Sequence, residues 1–171
     1  MPSAPPTPPD VEPHSPGGLL AGPSGTPSTL EGRVIPDHEA AIRASWAEVE
    51  ARADAVAAGF HARLLELDPG AGALFARTDR ATYHCRLAGA LGELAVSLDD
   101  PRRLVALLVS LGRQHAAWGV RAEQFGVASE ALLLSLRDTL GERFTPDVEE
   151  AWQELAGLVE AVMRRAVVHE P

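Results

Sequence analysis

Residues 101–119 read PRRLVALLVSLGRQHAAWG and carry the clearest helical pattern of the chain. Apolar side chains recur there at intervals of three and four residues, which is the period of an amphipathic α-helix. Asp100 is the predicted N-cap of this helix and Gly119 marks its predicted end. On such a helix His115 shares one apolar face with Leu111, four residues earlier. The stretch therefore predicts a helix that turns a histidine inward.

An inward histidine has two interpretations. Buried histidines are often simply packed and satisfied by one hydrogen bond. A neutral imidazole on an apolar wall is also the usual proximal ligand of haem iron, in a pocket of bulky apolar side chains with few charges. The residues of this helix alone leave both interpretations of His115 open.

The rest of the chain repeats the helical period, and no alternating Val-, Ile- or Thr-rich segment is long enough to compete as a strand. We therefore predict an all-α protein. The other predicted helices run from Pro36-Asp37 through Trp46, from near Asp54 to Leu67, through a short turn holding Leu74 and Phe75, from Thr78-Asp79 to Leu98, from Arg121 to Leu140, and from Thr145-Pro146 through Met163.

The chain changes character at its N-terminus. Ten of the 14 prolines lie in residues 1–36, mixed with Gly, Ser and Thr. Such a composition cannot bury enough apolar surface to offset chain entropy, so we predict a disordered tail over 1–36 and one folded domain over 37–168. The alternative for the tail is a proline-rich recognition segment around Pro5–Pro9.

Composition excludes several classes of protein. All 15 basic residues are Arg, and 24 acidic residues leave a net charge of −9, which argues against a nucleic-acid partner. No apolar run approaches the length of a membrane span, and the N-terminus lacks the pattern of a signal peptide. The single cysteine excludes a disulfide framework. These features predict a cytoplasmic protein of 171 residues without a membrane partner.

Five segments in order resemble a known family. They are Ile42–Trp46, the stretch FHARLLELDPGAGALF at 60–75, SLDDP at 97–101, LGRQH at 111–115 with Gly119-Val120, and 140–152. Together they resemble the bacterial globins, in particular the single-domain relatives of the flavohaemoglobin haem domain, with neuroglobin more distant. The resemblance covers about residues 40–165. It implies a three-over-three helical sandwich around haem b.

The resemblance implies that His115 is the proximal ligand of the haem iron. Phe75 is similar to the phenylalanine that globins pack flat against the haem. Leu111 and Val120 are expected to contact the same cofactor.

On the distal side, the resemblance places Tyr83 over the iron, 32 residues before the proximal histidine, with Leu87 one turn further. His61 takes the position where flavohaemoglobins carry a tyrosine, so both side chains are expected to face the gas. Arg86 is expected to pair with a haem propionate, or else to be a solvated surface charge. His84 is expected to point about 100° away from Tyr83.

Other interpretations of the distal pair remain open. His61 could cap a backbone carbonyl, and Tyr83 could pack with its hydroxyl at the surface. A third alternative has His61 reaching the iron, which gives a six-coordinate resting protein.

Three positions depart from the flavohaemoglobin pattern. Phe125 and Val167 occupy positions where that family has a tyrosine and a glutamate behind the proximal imidazole. Ala156 occupies a position on the last helix where that family has an interior tyrosine. The donation of electron density that such a tyrosine and glutamate promote, from the proximal imidazole toward the iron, is therefore expected to be absent. No glycine-rich dinucleotide fingerprint follows a strand, so turnover would need a separate reductase.

Together these features predict a globin that reversibly binds a diatomic gas, as in oxygen transport, with nitric oxide and carbon monoxide as further ligands. One alternative is a nitric oxide dioxygenase that works with a separate reductase, so enzymatic activity stays open. Another is a sensor or interaction module that keeps the globin scaffold and docks through the tail.

Overall fold

The computed structural model describes residues 38–76 and 79–168, and these contain α-helices, short 3-10 turns and loops without any strand. The predicted tail over 1–36 lies outside the described residues and stays a prediction. The helices are α1 (Glu39–Ala51), α2 (Ala53–Leu67), α3 (Gly72–Phe75), α4 (Arg80–Ser97), α5 (Pro101–Ala117), α6 (Gln124–Leu140) and α7 (Pro146–Val168).

Two predicted caps set the register of the central helices. The Asp79 carboxylate accepts a hydrogen bond from the Thr82 N–H at 3.1 Å and so begins α4. The Asp100 carboxylate accepts from the N–H groups of Arg102 and Arg103 at 3.0 and 3.1 Å, ahead of α5. Each cap satisfies backbone donors that the first turn of a helix leaves unpaired.

Helix α6 begins three residues later than predicted, at Gln124 and not at Arg121. The Gln124 side chain bends the chain back, because its Oε1 accepts from the Arg121 N–H at 3.0 Å. Its Nε2 donates to Asp68 Oδ2 at 2.8 Å, at the end of α2. This bond across 56 residues holds 121–123 in a turn.

Helix α5 ends at Ala117, two residues before the predicted Gly119. Gly119 has a φ of +87°, in the left-handed region that glycine adopts most easily. The carbonyl of His115 accepts from the N–H groups of both Trp118 and Val120, at 3.1 and 3.0 Å. The chain is therefore fixed just after His115.

Helix α4 contacts α1 and α5, while α6 contacts α2 and α7, so the helices form two layers with α1, α4 and α5 over α2, α6 and α7. This arrangement confirms the predicted three-over-three sandwich. The widest packing joins α2 to α6 and α5 to α7. Small residues permit both approaches: a side chain on Gly59 would meet Ser135 Oγ at 2.6 Å, and one on Gly112 would meet Ala166 Cβ at 2.7 Å. The main core buries Ile42, Val49, Val56, Leu91, Leu94, Leu98, Leu104, Leu108, Leu136, Leu140, Phe144, Ala151, Trp152 and Leu155.

None of the helices within the described ranges is long and apolar enough to cross a bilayer.

Candidate functional site

His115 lies in the last turn of α5 and is half-buried. Its Nδ1 is 2.7 Å from the Leu111 carbonyl oxygen. A carbonyl only accepts, so we assign the proton to Nδ1, which leaves the lone pair of Nε2 free. Burial lowers the pKa of His115, and the bond to Leu111 opposes that shift only in part. The imidazole is therefore neutral at pH 7, as a metal ligand must be.

Two aromatic rings contact this imidazole. The Trp118 ring centroid is 5.1 Å from that of His115, and the Phe125 centroid is 5.8 Å away, each ring tilted by 57°. Phe125 is buried near the start of α6, whereas Trp118 is 52% exposed. Phe125 carries no hydroxyl, so it offers no hydrogen bond to the proximal ring.

A second aromatic group forms where α2, α3 and α4 meet. The Tyr83 ring lies 4.9 Å from Phe75 and 5.6 Å from His61, and the His61 and Phe75 centroids are 4.8 Å apart. Three residues from separate helices, all named in the sequence analysis, are thus brought together. We call His61, Phe75 and Tyr83 the distal group.

The distal group rests on a small apolar cluster of its own. Phe75 packs there with Leu74 against the buried side chains of Leu64, Ala71 and Ala131. The cluster therefore joins α2 and α3 to the middle of α6, the helix whose start carries the proximal Phe125.

The hydroxyl of Tyr83 is buried and has no hydrogen-bond partner among the described residues. Burial raises the pKa of Tyr83 far above its ordinary value, so the phenol keeps its proton at neutral pH. A buried hydroxyl without a partner carries a desolvation cost. The group is thus a neutral donor that an acceptor in the site would satisfy.

His61 is half-buried in the same group. Burial lowers its pKa, and the nearby charges of Arg80 and His84 lower it further. Its ring makes no hydrogen bond within the described part of the chain, so the carbonyl-capping alternative has no partner there. His61 is therefore a second neutral side chain beside the Tyr83 ring.

The two sides of the site meet at the end of α5. A side chain on Gly119 would lie 4.0 Å from Leu74 Cδ2, so the loop after His115 runs beside α3. Helix α6 contacts both sides, through Phe125 and through the cluster under Phe75. The proximal histidine and the distal group therefore belong to one region of the fold.

The remaining predicted site residues are less constrained. Leu87, Leu111 and Val120 are half-buried, and Leu87 packs against the main core. Arg86 is exposed on α4, and its charge helps lower the pKa of Asp79, after the hydrogen bonds to Thr82. The structure thus leaves Arg86 at the surface, where a propionate or water can reach it.

Two residues near the site were missed by sequence reasoning. His84 was expected to point away, yet its ring centroid is 5.8 Å from that of Tyr83, and its buried Nε2 has no hydrogen-bond partner among the residues that the structure describes. Trp118 was not singled out, although it stands three residues after His115 and one turn places them together. Spacing was a usable signal for Trp118.

The residues present fit a haem group. Within the described part of the chain, Nε2 of the neutral His115 imidazole makes no hydrogen bond, and the buried Tyr83 hydroxyl has no acceptor. The apolar ring of Phe75 lies beside Tyr83, and that of Phe125 lies beside His115. This donor set suits an iron porphyrin held by one histidine.

Comparison with known proteins gives a consistent result. A family model described as Globin matches residues 58–163. A neuroglobin of Tetraodon nigroviridis is 33% identical over 137 residues, which cover 72% of this chain and 86% of that protein. A flavohemoprotein of Rhizobium meliloti is 31% identical over 100 residues, which cover 57% of this chain and 25% of that protein. The chain spans only 25% to 31% of the length of the flavohemoproteins it matches.

Solved structures share the fold. An engineered carbene transferase of Rhodothermus marinus, which carries a nitric oxide dioxygenase assignment, superposes with a TM-score of 0.69 at 25% identity and covers 78% of this chain and 92% of its own. A flavohemoglobin of Malassezia yamatoensis superposes with a TM-score of 0.68 at 18% identity, over 79% of this chain and 37% of that one, and so supports the fold alone. The family model spans more than half of the sequence, and the chain belongs to the globin family of helical haem proteins.

Proposed function

We propose that this globin holds haem b through Nε2 of His115 and reversibly binds a diatomic gas, with oxygen as the principal ligand. The observation that carries the proposal is the hydrogen bond from Nδ1 of His115 to the Leu111 carbonyl at 2.7 Å. It assigns the proton to one ring nitrogen and leaves the other free for a metal.

When bound, haem supplies an iron with a further coordination position at which a diatomic gas can be taken up. The chain's part is to bind and orient the group. Phe75, Leu87, Leu111 and Val120 would supply apolar contacts, and the exposed Arg86 would pair with a propionate at the surface.

The distal group provides polarity where the gas would enter. Tyr83 donates from a neutral hydroxyl, and His61 can donate or accept according to its tautomer. One such hydrogen bond slows gas release by about ten- to a hundredfold. This arrangement suits reversible oxygen binding, including oxygen transport.

Absorption spectroscopy of the haem-loaded protein tests the proposal. We expect the ferrous form to change its spectrum on addition of carbon monoxide or oxygen and to recover when the gas is removed. The control variant His61→Ala reports whether His61 occupies the gas position, because loss of that side chain would then convert a low-spin ferric spectrum to high spin. A ferrous spectrum unchanged by both gases would reject the proposal.

A second candidate function is nitric oxide dioxygenation, in which nitric oxide, dioxygen and one electron give nitrate. The Rhodothermus marinus relative supports it through its assignment, and flavohemoproteins are among the relatives. The electron would come from a reductase acting as partner. The absence of a hydroxyl on Phe125, beside His115, favours gas binding over fast turnover.

Gas binding and nitric oxide dioxygenation differ in whether nitrate is formed. We expect the oxygen-saturated ferrous protein, mixed with nitric oxide, to give one nitrate per haem if dioxygenation is its chemistry. Release of unchanged oxygen without nitrate would leave the chain as a gas-binding globin.

A further inference from the structure

Trp118 has an unusual position for a tryptophan. Its side chain is 52% exposed, although tryptophan is the largest apolar side chain. Its ring lies 5.1 Å from the ring of His115, so the part that is shielded from water packs on that histidine. Burial in the main core therefore does not explain the residue, whereas its ring contact with His115 is a specific interaction of the side chain.

The backbone around Trp118 is held firmly. Its N–H contacts the carbonyl oxygens of Gln114 and His115, both at 3.1 Å. The next residue, Gly119, has a φ of +87°, and the N–H of Val120 returns to the His115 carbonyl at 3.0 Å. These bonds fix the Cα of Trp118 relative to His115, so the indole projects from a fixed point beside the imidazole.

A single hydrogen bond does not fix an imidazole. The bond from His115 Nδ1 to Leu111 leaves the ring free to swing about the Nδ1···O direction. Trp118 and Phe125 follow His115 by three and ten residues. Their ring centroids lie 5.1 and 5.8 Å from the centroid of the imidazole. Two aromatic contacts and one hydrogen bond together restrict the ring to one orientation.

We propose that Trp118 is a positioning residue for His115: with Phe125 it holds the imidazole so that Nε2 is presented in one direction. The inference rests on the proposed function of His115 as the haem ligand. It assigns to an exposed tryptophan the orientation of the imidazole, which a charged or hydroxyl-bearing hydrogen-bond partner of the ring could otherwise provide.

The test compares Trp118→Ala with Trp118→Phe, which keeps an aromatic ring in place. Trp46→Phe is the matched control, since it removes a tryptophan that packs on the main core from α1. In the haem-free protein, NMR of the His115 ring protons should show a ring-current shift that Trp118→Ala reduces to the part contributed by Phe125 and that Trp46→Phe retains in full.

The haem-loaded protein supplies the second readout. We expect Trp118→Ala to lose haem about three- to tenfold faster and to broaden the iron–histidine vibrational band, and Trp118→Phe to restore most of both properties. Unchanged ring-proton shifts, or unchanged haem loss and band width in Trp118→Ala, would overturn the positioning role. If the unaltered protein takes up no haem, the proposed function fails, and the NMR comparison still decides whether Trp118 holds the His115 ring.

Discussion

Tyr83 is the single tyrosine of the chain, and its hydroxyl is buried beside His61 and Phe75 with no partner in residues 38–76 or 79–168. A protein interior rarely leaves such a group unpaired, because the lost bond to water is not replaced. Within a binding site the same group becomes an advantage, since a ligand that accepts a hydrogen bond recovers the loss. The Tyr83 hydroxyl is therefore the residue-scale feature on which the gas affinity should depend most.

Tyr83→Phe removes the hydroxyl and keeps the ring contacts with His61 and Phe75. We expect the oxygen dissociation rate of the haem-loaded protein to rise by about ten- to a hundredfold. The free energy of unfolding should hold or increase slightly, because no protein partner is lost. Stopped-flow displacement of oxygen by carbon monoxide measures the rate, and an unchanged rate would show that Tyr83 does not face the gas.

The buried phenol also predicts a pH dependence. Burial raises the pKa of Tyr83 above the 10.0 of an exposed tyrosine, so the folded protein retains its proton where the unfolded chain releases it. The contribution of Tyr83 to stability is therefore complete below pH 10 and declines as the pH rises past it. Ultraviolet titration of the single tyrosine should show no ionisation near pH 10 in the folded, haem-free protein. A titration at the ordinary value would mean that the ring is exposed.

At the scale of elements, the position of His115 depends on how closely α5 approaches α7. Gly112 stands one turn before His115, and a Cβ there would meet Ala166 Cβ at 2.7 Å and the Met163 carbonyl oxygen at 3.0 Å. The second contact is with backbone, which cannot rotate away. The two helices can keep their present separation only with glycine at this crossing.

Gly112→Ala should therefore destabilise the protein by about 1–2 kcal/mol, because the overlap outweighs the gain in helix propensity. The matched control is Gly89→Ala on α4, where a Cβ would meet nothing within 4 Å and the gain should be about 0.5–1 kcal/mol. Urea denaturation of both variants measures the difference. Equal effects from the two substitutions would contradict a tight crossing.

Local sequence signals predicted most element boundaries. Asp79 and Asp100 both cap helices as predicted, because an N-cap depends only on its nearest neighbours along the chain. The predicted start of α6 was wrong, because the observed start depends on the hydrogen bond from Gln124 to Asp68, 56 residues away. Long-range bonds of this kind leave no periodic pattern in the sequence.

The site residues also divide into those that local sequence signals predict and those that depend on distant parts of the chain. Spacing on α5 made His115 an inward histidine, but only the resemblance to globins assigned it a role and added His61, Phe75 and Tyr83. Cys85 is exposed on α4, only two residues after the half-buried Tyr83. Which side of a helix meets its neighbours is decided by tertiary packing, and helix spacing alone does not reveal it.

At the scale of the whole molecule, the two helical layers bring one histidine and three distal rings into one region. Several of these side chains are only half-buried: His61, Phe75, Leu87, Leu111 and Val120. A cofactor that covers them would bind the folded chain and not the unfolded one. Haem is therefore expected to stabilise the entire fold by mass action.

The melting temperature measures this effect. With free haem at about a hundredfold over its dissociation constant, stability should rise by about 2.7 kcal/mol, or roughly 5–10 °C for a domain of this size. The same amount of haem added to His115→Ala should produce a smaller rise. An equal rise in both proteins would point to non-specific haem adsorption on the surface.

The central claim is that His115 holds the iron, and the most direct measurement is imidazole rescue. His115→Gly removes the ring and leaves room for free imidazole. We predict that this variant gives a weak, altered haem absorption band and that added imidazole restores the spectrum of the unaltered protein. A full-strength, unchanged band in His115→Gly before any imidazole is added would contradict the account, because another residue would then be the ligand.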